Sequence, residues 1–144
     1  MQKLDARTAH WLHDIAATRQ IEAAAAATLP RHSLMQGAGL ASARLALALA
    51  PHARSIWIAC GPGNNGGDGL EAALHLQHWG KNPVVSWLGS PEQAPPDALA
   101  SYRRARDAGV RFADAPPQDF DLCLDALLGI GAARAPQDQM AQWI

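Results

Sequence analysis

The chain lacks any apolar run long enough to cross a bilayer as a helix. Its first residues, Met1-Gln-Lys-Leu-Asp-Ala-Arg7, lack the apolar segment of a signal peptide. It has no block of like charges, and its formal net charge is −1, so neither nucleic acid nor a membrane is an expected partner. Cysteine is scarce: Cys60 and Cys123 are the two present. Each lies in or beside an apolar strand-like run, which predicts buried free thiols in a reducing compartment, the cytoplasm, rather than a disulfide. Metal-type Cys/His spacing and internal repeats are absent. What remains is a chain of 144 residues, a length that suits one domain burying about 68–70% of its unfolded surface.

Against these absences stands one dense stretch, Cys60-Gly-Pro-Gly-Asn-Asn-Gly-Gly-Asp-Gly69, which holds five of the twelve glycines. It follows the apolar run Ile56-Trp-Ile-Ala59 and precedes a helix-like run from Leu70 to Trp79. A strand breaking into a glycine loop and then a helix gathers unpaired backbone N–H groups at the positive end of a helix dipole, a cradle for phosphates or other anions. The loop formally contains G-x-G-x-x-G, as Gly61-Pro-Gly63-Asn-Asn-Gly66. Two further absences narrow it. No acid stands at the end of the second strand, where Ser86-Trp-Leu-Gly-Ser90 is found, so a conventional dinucleotide fingerprint is disfavoured. No lysine follows the glycines, which disfavours a Walker loop. Asn64, Asn65 and Asp68 instead bring two amide carbonyls and a carboxylate into one turn, hard oxygen ligands that suit an alkali or alkaline-earth cation. The plainer account, that these residues tolerate a turn and cap a helix, would suffice for a lone Asn-Gly. At a strand–helix switch the functional account outweighs it.

Around the loop, residues from about Arg7 to Thr28 read as one or two helices. Ser33 caps a second helix from Leu34 to about Ala50, in which Gly37 and Gly39 predict close packing, since mid-helix glycine costs about 1 kcal/mol against alanine. Strands follow at Ser55–Ala59, Pro83–Leu88, Val110–Phe112 and Asp121–Leu128. The helix after the loop shows one face at Gly69, Ala73 and Leu76 and stops at Gly80; another opens at Pro95-Pro96-Asp97 and closes at Gly109. Single helices alternating with strands imply a parallel α/β sheet with right-handed crossovers. A last helix starts at Pro136, with Met140, Trp143 and Ile144 at helical spacing. The pattern reads as the front part of one domain over residues 1–144, its C-terminal portion missing.

A second site is Asp125-Ala-Leu-Leu-Gly129-Ile-Gly131, where Asp125 interrupts an apolar strand. A buried aspartate is rare unless paired or bound to a metal. It predicts either a cation ligand or an acid satisfied by loop amides, at the carboxyl end of a parallel strand where α/β ligands bind. The histidines read as solvated surface, His10, His13, His75 and His78 among them. Arg103, Arg104 and Arg106 read as the wet face of a helix, and Trp57 and Trp87 as core or pocket-wall residues on adjacent strands. Glu22 reads as exposed, with facing a ligand as the alternative.

Gly61 to Gly69 resembles the signature of the YjeF N-terminal domain, the NAD(P)H-hydrate epimerase family. Asp125 to Gly131 looks like that family's second motif, and Leu34-Met-Gln-Gly-Ala-Gly39 like its leader-helix motif; together they cover about residues 10–136. The resemblance implies a Rossmann-like three-layer α/β/α sandwich with a mostly parallel sheet preceded by N-terminal helices, and a homodimer. It implies an isomerase that interconverts the R and S forms of hydrated NADH or NADPH (NADHX and NADPHX) at C6 of the nicotinamide ring, feeding a fused or separate ADP- or ATP-dependent dehydratase. Carried over, Asn64, Asn65, Gly66, Gly67 and Asp68 would hold the substrate, and Asn65 and Asp125 would ligate a potassium ion, K+. Gly129, Ile130, Gly131, Ala132, Ala133, Arg134 and Ala135 would wrap the substrate's phosphate region. No residue is assigned as the catalytic acid or base. Ile130 stands where the family usually has threonine, and the family's later Asp-x-Pro-Ser-Gly motif is absent up to Ile144. The same fold as a non-catalytic nucleotide-binding or dimerising scaffold is the alternative; an NAD-dependent oxidoreductase is disfavoured by the missing ribose acid.

Overall fold

The computed structural model describes residues 12–144. The readings at His10 and over the leader helix from Arg7 to Trp11 lie outside the described residues. Helices α1 (Ile15–Ala26) and α2 (Ser33–Leu49) lead into β1 (Ser55–Cys60), α3 (Asn64–His78) and β2 (Asn82–Trp87). Helix α4 (Pro96–Asp107), strands β3 (Arg111–Phe112) and β4 (Leu122–Ala126) and helix α5 (Asp138–Trp143) follow. The strands form one parallel sheet in the order β3-β2-β1-β4, so the α/β expectation holds. The order reverses at β1, which pairs with β2 on one side and β4 on the other, and such a switch point is where open α/β sheets bind ligands.

Period-two alternation assigns β1 to two cores. Ile56, Ile58 and Cys60 are buried with Ala43, Ala46, Leu70, Ala73, Leu76 and Ala105, beneath α2, α3 and α4. Each fully buried isoleucine contributes about 1.5–3 kcal/mol of transfer free energy. Trp57 and Ala59 face the other way and pack with Leu127, Met140 and Trp143, so that α5 covers that face. The Trp57 ring meets Phe120 and Trp143 at 5.5 and 5.8 Å, and its indole N–H donates to Ser86 Oγ at 3.1 Å. Gly80 and Gly109 take left-handed φ angles of 75° and 76° just beyond α3 and α4, as the sequence predicts for helix stops.

Several local expectations are corrected. Ser33 is the first residue of α2 rather than its cap; His32 holds the cap position with a left-handed φ of 66° and no side-chain cap bond. Close packing belongs to Gly39 and not to Gly37. A β-carbon on Gly39 would overlap that of Glu71, whereas one on Gly37 would meet nothing within 4 Å. Helix α5 begins at Asp138, two residues after Pro136. Strand β4 is shorter than predicted at both ends, Leu122–Ala126. Just before it the Asp121 carboxylate accepts the Arg54 and Ser55 N–H groups at 2.7 and 2.9 Å while its own N–H donates to the Ser55 carbonyl at 2.8 Å, and just after it the Leu127 N–H donates to the Asp125 carboxylate at 2.9 Å. Cys60 is buried, and burial pushes its thiol far up; Cys123 is exposed on β4, against the expectation of two buried thiols.

Candidate active site

Both glycine turns lie at the carboxyl ends of neighbouring strands, β1 and β4. They are tied to each other and to β2. The Gly61 N–H donates to the Ala126 carbonyl at 3.0 Å, and the Gly61 carbonyl accepts the Trp87 indole N–H at 3.1 Å. Trp87 in turn stacks on Tyr102 at 4.5 Å. Trp87 therefore braces the loop, a more specific role than pocket wall. Helix α3 starts at Asn64 with Gly63 at its cap and no side-chain cap bond. The capping account of the asparagines is thus not what the structure contains, and the N–H groups of the first turn are left to solvent or a ligand.

The first two turns of α3 divide their polar side chains between two places. Asn64 and Asp68, four residues apart and so on one helix face, line a cavity of about 340 Å³ together with Arg19, Glu22, Met35 and Asp97. Asn65, one residue round, turns to the second loop: its side-chain N–H donates to the Leu128 carbonyl at 3.1 Å, and a β-carbon on Gly129 would lie 3.2 Å from its own. Gly66 and Gly67 are buried and shape the helix rather than touch the cavity. In the second loop the Gly129 carbonyl accepts the Ala132 N–H at 3.0 Å. Ile130, Gly131, Ala132, Ala133, Arg134 and Ala135 are all exposed. A β-carbon on Gly131 would lie 3.2 Å from an Arg19 guanidinium nitrogen, which brings the leader helix and the second loop together.

Asp125 corrects the expectation of a buried acid. It is exposed, because β4 is an edge strand of the described sheet and the residue faces away from α3. Its bond to the Leu127 amide keeps it beside the turn that Asn65 holds at Leu128. Among the described residues no group of three or more His, Cys, Asp or Glu side chains is placed to hold a metal ion.

Burial above all, then the charges of Glu22 and Glu71, push the Asp68 carboxyl up to about 6 from an ordinary 3.8. An acid raised by folding binds more protons in the native state than in the unfolded one between those two values, so stability falls as pH rises through that window. Asp68→Asn is therefore expected to melt higher than the parent protein above about pH 6, with the gain vanishing below the ordinary 3.8. Thermal midpoints on either side of the window check this; a variant less stable at neutral pH would contradict it.

Further residues at or behind the cavity escaped the sequence. Glu71 is buried between α2, α3 and α4, where its Oε1 accepts the Ser101 hydroxyl at 2.9 Å and meets Arg104 at 3.2 Å, while Oε2 has no partner among the described residues. Arg104 is consequently the ion-pair partner of a core acid rather than part of a wet face. Arg106 lies over the Phe112 ring, and Arg103 is exposed as expected. Asp97 bonds His32 at 2.6 Å, so His32 departs from the solvated reading, as does His75. His75 is half-buried against Trp79, with its pKa lowered chiefly by burial, while His13 and His78 are exposed. Glu22, for which facing a ligand is the alternative to an exposed position, does line the cavity, and Arg19 three residues before it shares that face. That spacing was the signal by which Arg19 could have been found.

Comparison with known proteins gives a consistent set. The family model described as YjeF-related protein N-terminus matches residues 31–144. An NAD(P)H-hydrate epimerase of Fusarium vanettenii is 39% identical over 112 residues, which cover 72% of this chain and 46% of that protein. An NAD(P)H-hydrate epimerase of Bordetella pertussis is 40% identical over 103 residues, covering 71% and 45%. A bifunctional NAD(P)H-hydrate repair enzyme of Thermofilum pendens is 37% identical over 111 residues, covering 70% and 21%. The chain thus spans about half the length of the curated epimerases it matches and about a fifth of the bifunctional protein. The crystal structure of yeast YNL200c superposes with a TM-score of 0.73 at 20% identity, over 90% of this chain and 61% of that one, a likeness of fold.

Proposed function

The chain belongs to the family described as YjeF-related protein N-terminus, and on that premise we propose that it interconverts the R and S forms of hydrated NADH and NADPH at C6 of the nicotinamide ring. The observation that carries this reading is the division of α3: Asn64 and Asp68 face a cavity while Asn65 holds the neighbouring glycine turn. One arm of the site can then take the damaged ring and the other the phosphates, whose oxygens suit backbone N–H groups at a helix start.

At C6 a hydroxyl group and the ring nitrogen share one carbon. The Asp68 carboxylate takes the hydroxyl proton, the C6–oxygen bond becomes a carbonyl, and the C6–nitrogen bond breaks. The proton passes to the ring nitrogen. Rotation of the freed aldehyde and the reverse sequence close the ring with the hydroxyl on its other face. One proton leaves oxygen and one arrives at nitrogen, so no redox partner is required. A carboxyl pushed up to about 6 exchanges protons readily near neutral pH.

The donors at the second turn fit a potassium ion. With its amide nitrogen committed to Leu128, Asn65 has its carbonyl oxygen to offer, and Asp125 has the carboxylate oxygen not used by Leu127. Asn65 and Asp125 would hold the ion, which would offset phosphate charge and order both turns. The bifunctional NAD(P)H-hydrate repair enzymes among the relatives support a place in hydrate repair, and a fused or separate dehydratase that consumes one epimer belongs to the same proposal. A homodimer in the cytoplasm completes the reading; no described helix is long and apolar enough to cross a membrane.

The test starts from hydrated NADH enriched in one epimer. Adding the protein should speed re-equilibration, followed by chromatography, and potassium should increase the rate more than sodium at equal ionic strength. Re-equilibration at the spontaneous rate, with the nucleotide still bound, would favour the non-catalytic binding module instead.

A further inference from the structure

We infer that Arg19 takes a phosphate oxygen of the dinucleotide's diphosphate and so fastens the leader helix α1 to the ligand; this rests on the reading of the site just given. Among the described residues, the cavity wall carries three carboxylates, Glu22, Asp68 and Asp97, and a single cationic side chain, Arg19. A diphosphate brings further negative charge to that wall, and like charges at close range repel unless a cation lies between them. Asp97 is already engaged by His32. Arg19 is not engaged: among the described residues no carboxylate comes within ion-pairing distance of it, Glu22 on its own helix included. Its guanidinium instead reaches the second glycine turn, where a β-carbon on Gly131 would be 3.2 Å from its nitrogen. It therefore stands between the cavity that would take the ring and the loop that would take the phosphates. The planar fork of a guanidinium matches two phosphate oxygens at once, as a lysine ammonium does not.

The helix that presents Arg19 supplies a second argument. Helix α1 buries none of its residues, and its one side-chain cap bond, from Ala17 N–H to Asp14, is exposed. A helix held so lightly gains a fixed contact when its cation closes on a ligand that is itself bound to α3 and the β4 turn.

ADP-ribose, which has the diphosphate without the nicotinamide ring, is the probe. Calorimetric Kd values are compared for the parent protein, Arg19→Gln, Arg19→Lys and Arg134→Gln, at low and high salt. Loss of a charge-assisted bond predicts binding weaker by about tenfold or more for Arg19→Gln, a shallower salt dependence, and an intermediate value for Arg19→Lys. Hydrogen exchange of the α1 amides should slow on adding ADP-ribose to the parent protein and stay unchanged in Arg19→Gln, with ligand-free melting unaffected. Parent-like affinity in Arg19→Gln alongside intact epimerisation would overturn the inference and leave the proposed function standing. Weakened ADP-ribose binding in Arg19→Gln, in a protein that never epimerises the hydrates, would support the inference while removing that function. A parent protein that fails to bind ADP-ribose would overturn the inference, as would Arg134→Gln accounting for the whole loss.

Discussion

Asp68→Asn is expected to lower kcat for interconversion of the hydrated nucleotides by about 10²–10⁴, the usual worth of a positioned proton carrier. Asparagine keeps the shape and one acceptor oxygen of the aspartate but cannot accept and return a proton. Binding should suffer less than turnover, because Asn64, the α3 N-terminus and the second glycine turn are untouched. The pH profile adds a sharper criterion. In the parent protein Asp68 must begin as the carboxylate, so kcat/KM should rise with pH through about 6. That limb should vanish in the asparagine variant and move to lower pH in Glu22→Gln, which removes one of the charges that raise the acid. Asp68→Asn is also expected to stabilise the fold at neutral pH, so a loss of activity could not be blamed on unfolding; activity and stability oppose each other at this residue. A variant that retained kcat within tenfold would remove Asp68 from the chemistry and leave it a binding residue.

What could be read from the sequence is what depends on neighbours along the chain. The strand–loop–helix order at Cys60–Gly69 and the helix stops at Gly80 and Gly109 are local, and the structure contains them; α3, however, begins at Asn64, six residues before the helix-like run read from Leu70, which puts Asn64 and Asp68 on one helix face instead of in one turn with Asn65. The parallel sheet follows from alternation of elements, and its switch point then brings the two glycine turns together. The failures concern which element lies beside which. Asp125 and Cys123 look buried in an apolar run, but their exposure depends on the strand order, and β4 is at the edge of the described sheet. Glu71 looks like one more polar residue on a helix, until α4 lays Ser101 and Arg104 against it. Arg19 gains its place only once α1 crosses to Gly131, a contact between residues more than a hundred positions apart. Alternating or helical periodicity has no information about such pairs.

Gly61→Ala and Gly66→Ala are expected to be the most disruptive single-methyl changes in the site. The reason is steric rather than conformational. A β-carbon on Gly61 would overlap the Leu127 carbonyl oxygen, and one on Gly66 would overlap the Gly61 carbonyl oxygen. Both obstacles are backbone, and both are pinned: Gly61 by its bonds to Ala126 and Trp87, and Leu127 by the Asp125 carboxylate. Flexible side chains could swing aside, as the Met35 sulfur 2.6 Å from a β-carbon on Gly67 could, but these carbonyls cannot. Overpacking of this kind costs about 1–3 kcal/mol, and with no relief available both variants should fall toward the upper end. Gly37→Ala is the matched control: exposed, helical and with nothing within 4 Å of the added carbon, it should stabilise by up to about 1 kcal/mol through helix propensity. Urea midpoints of the three variants test the contrast. The functional consequence follows from the same geometry, because the Gly61–Leu127 contact sets the distance between the α3 N-terminus and the turn that Asn65 holds. If the two turns form one site, Gly61→Ala should weaken ADP-ribose binding even under conditions where the variant is fully folded. A folded Gly61→Ala protein with parent affinity would mean that the two glycine turns act independently.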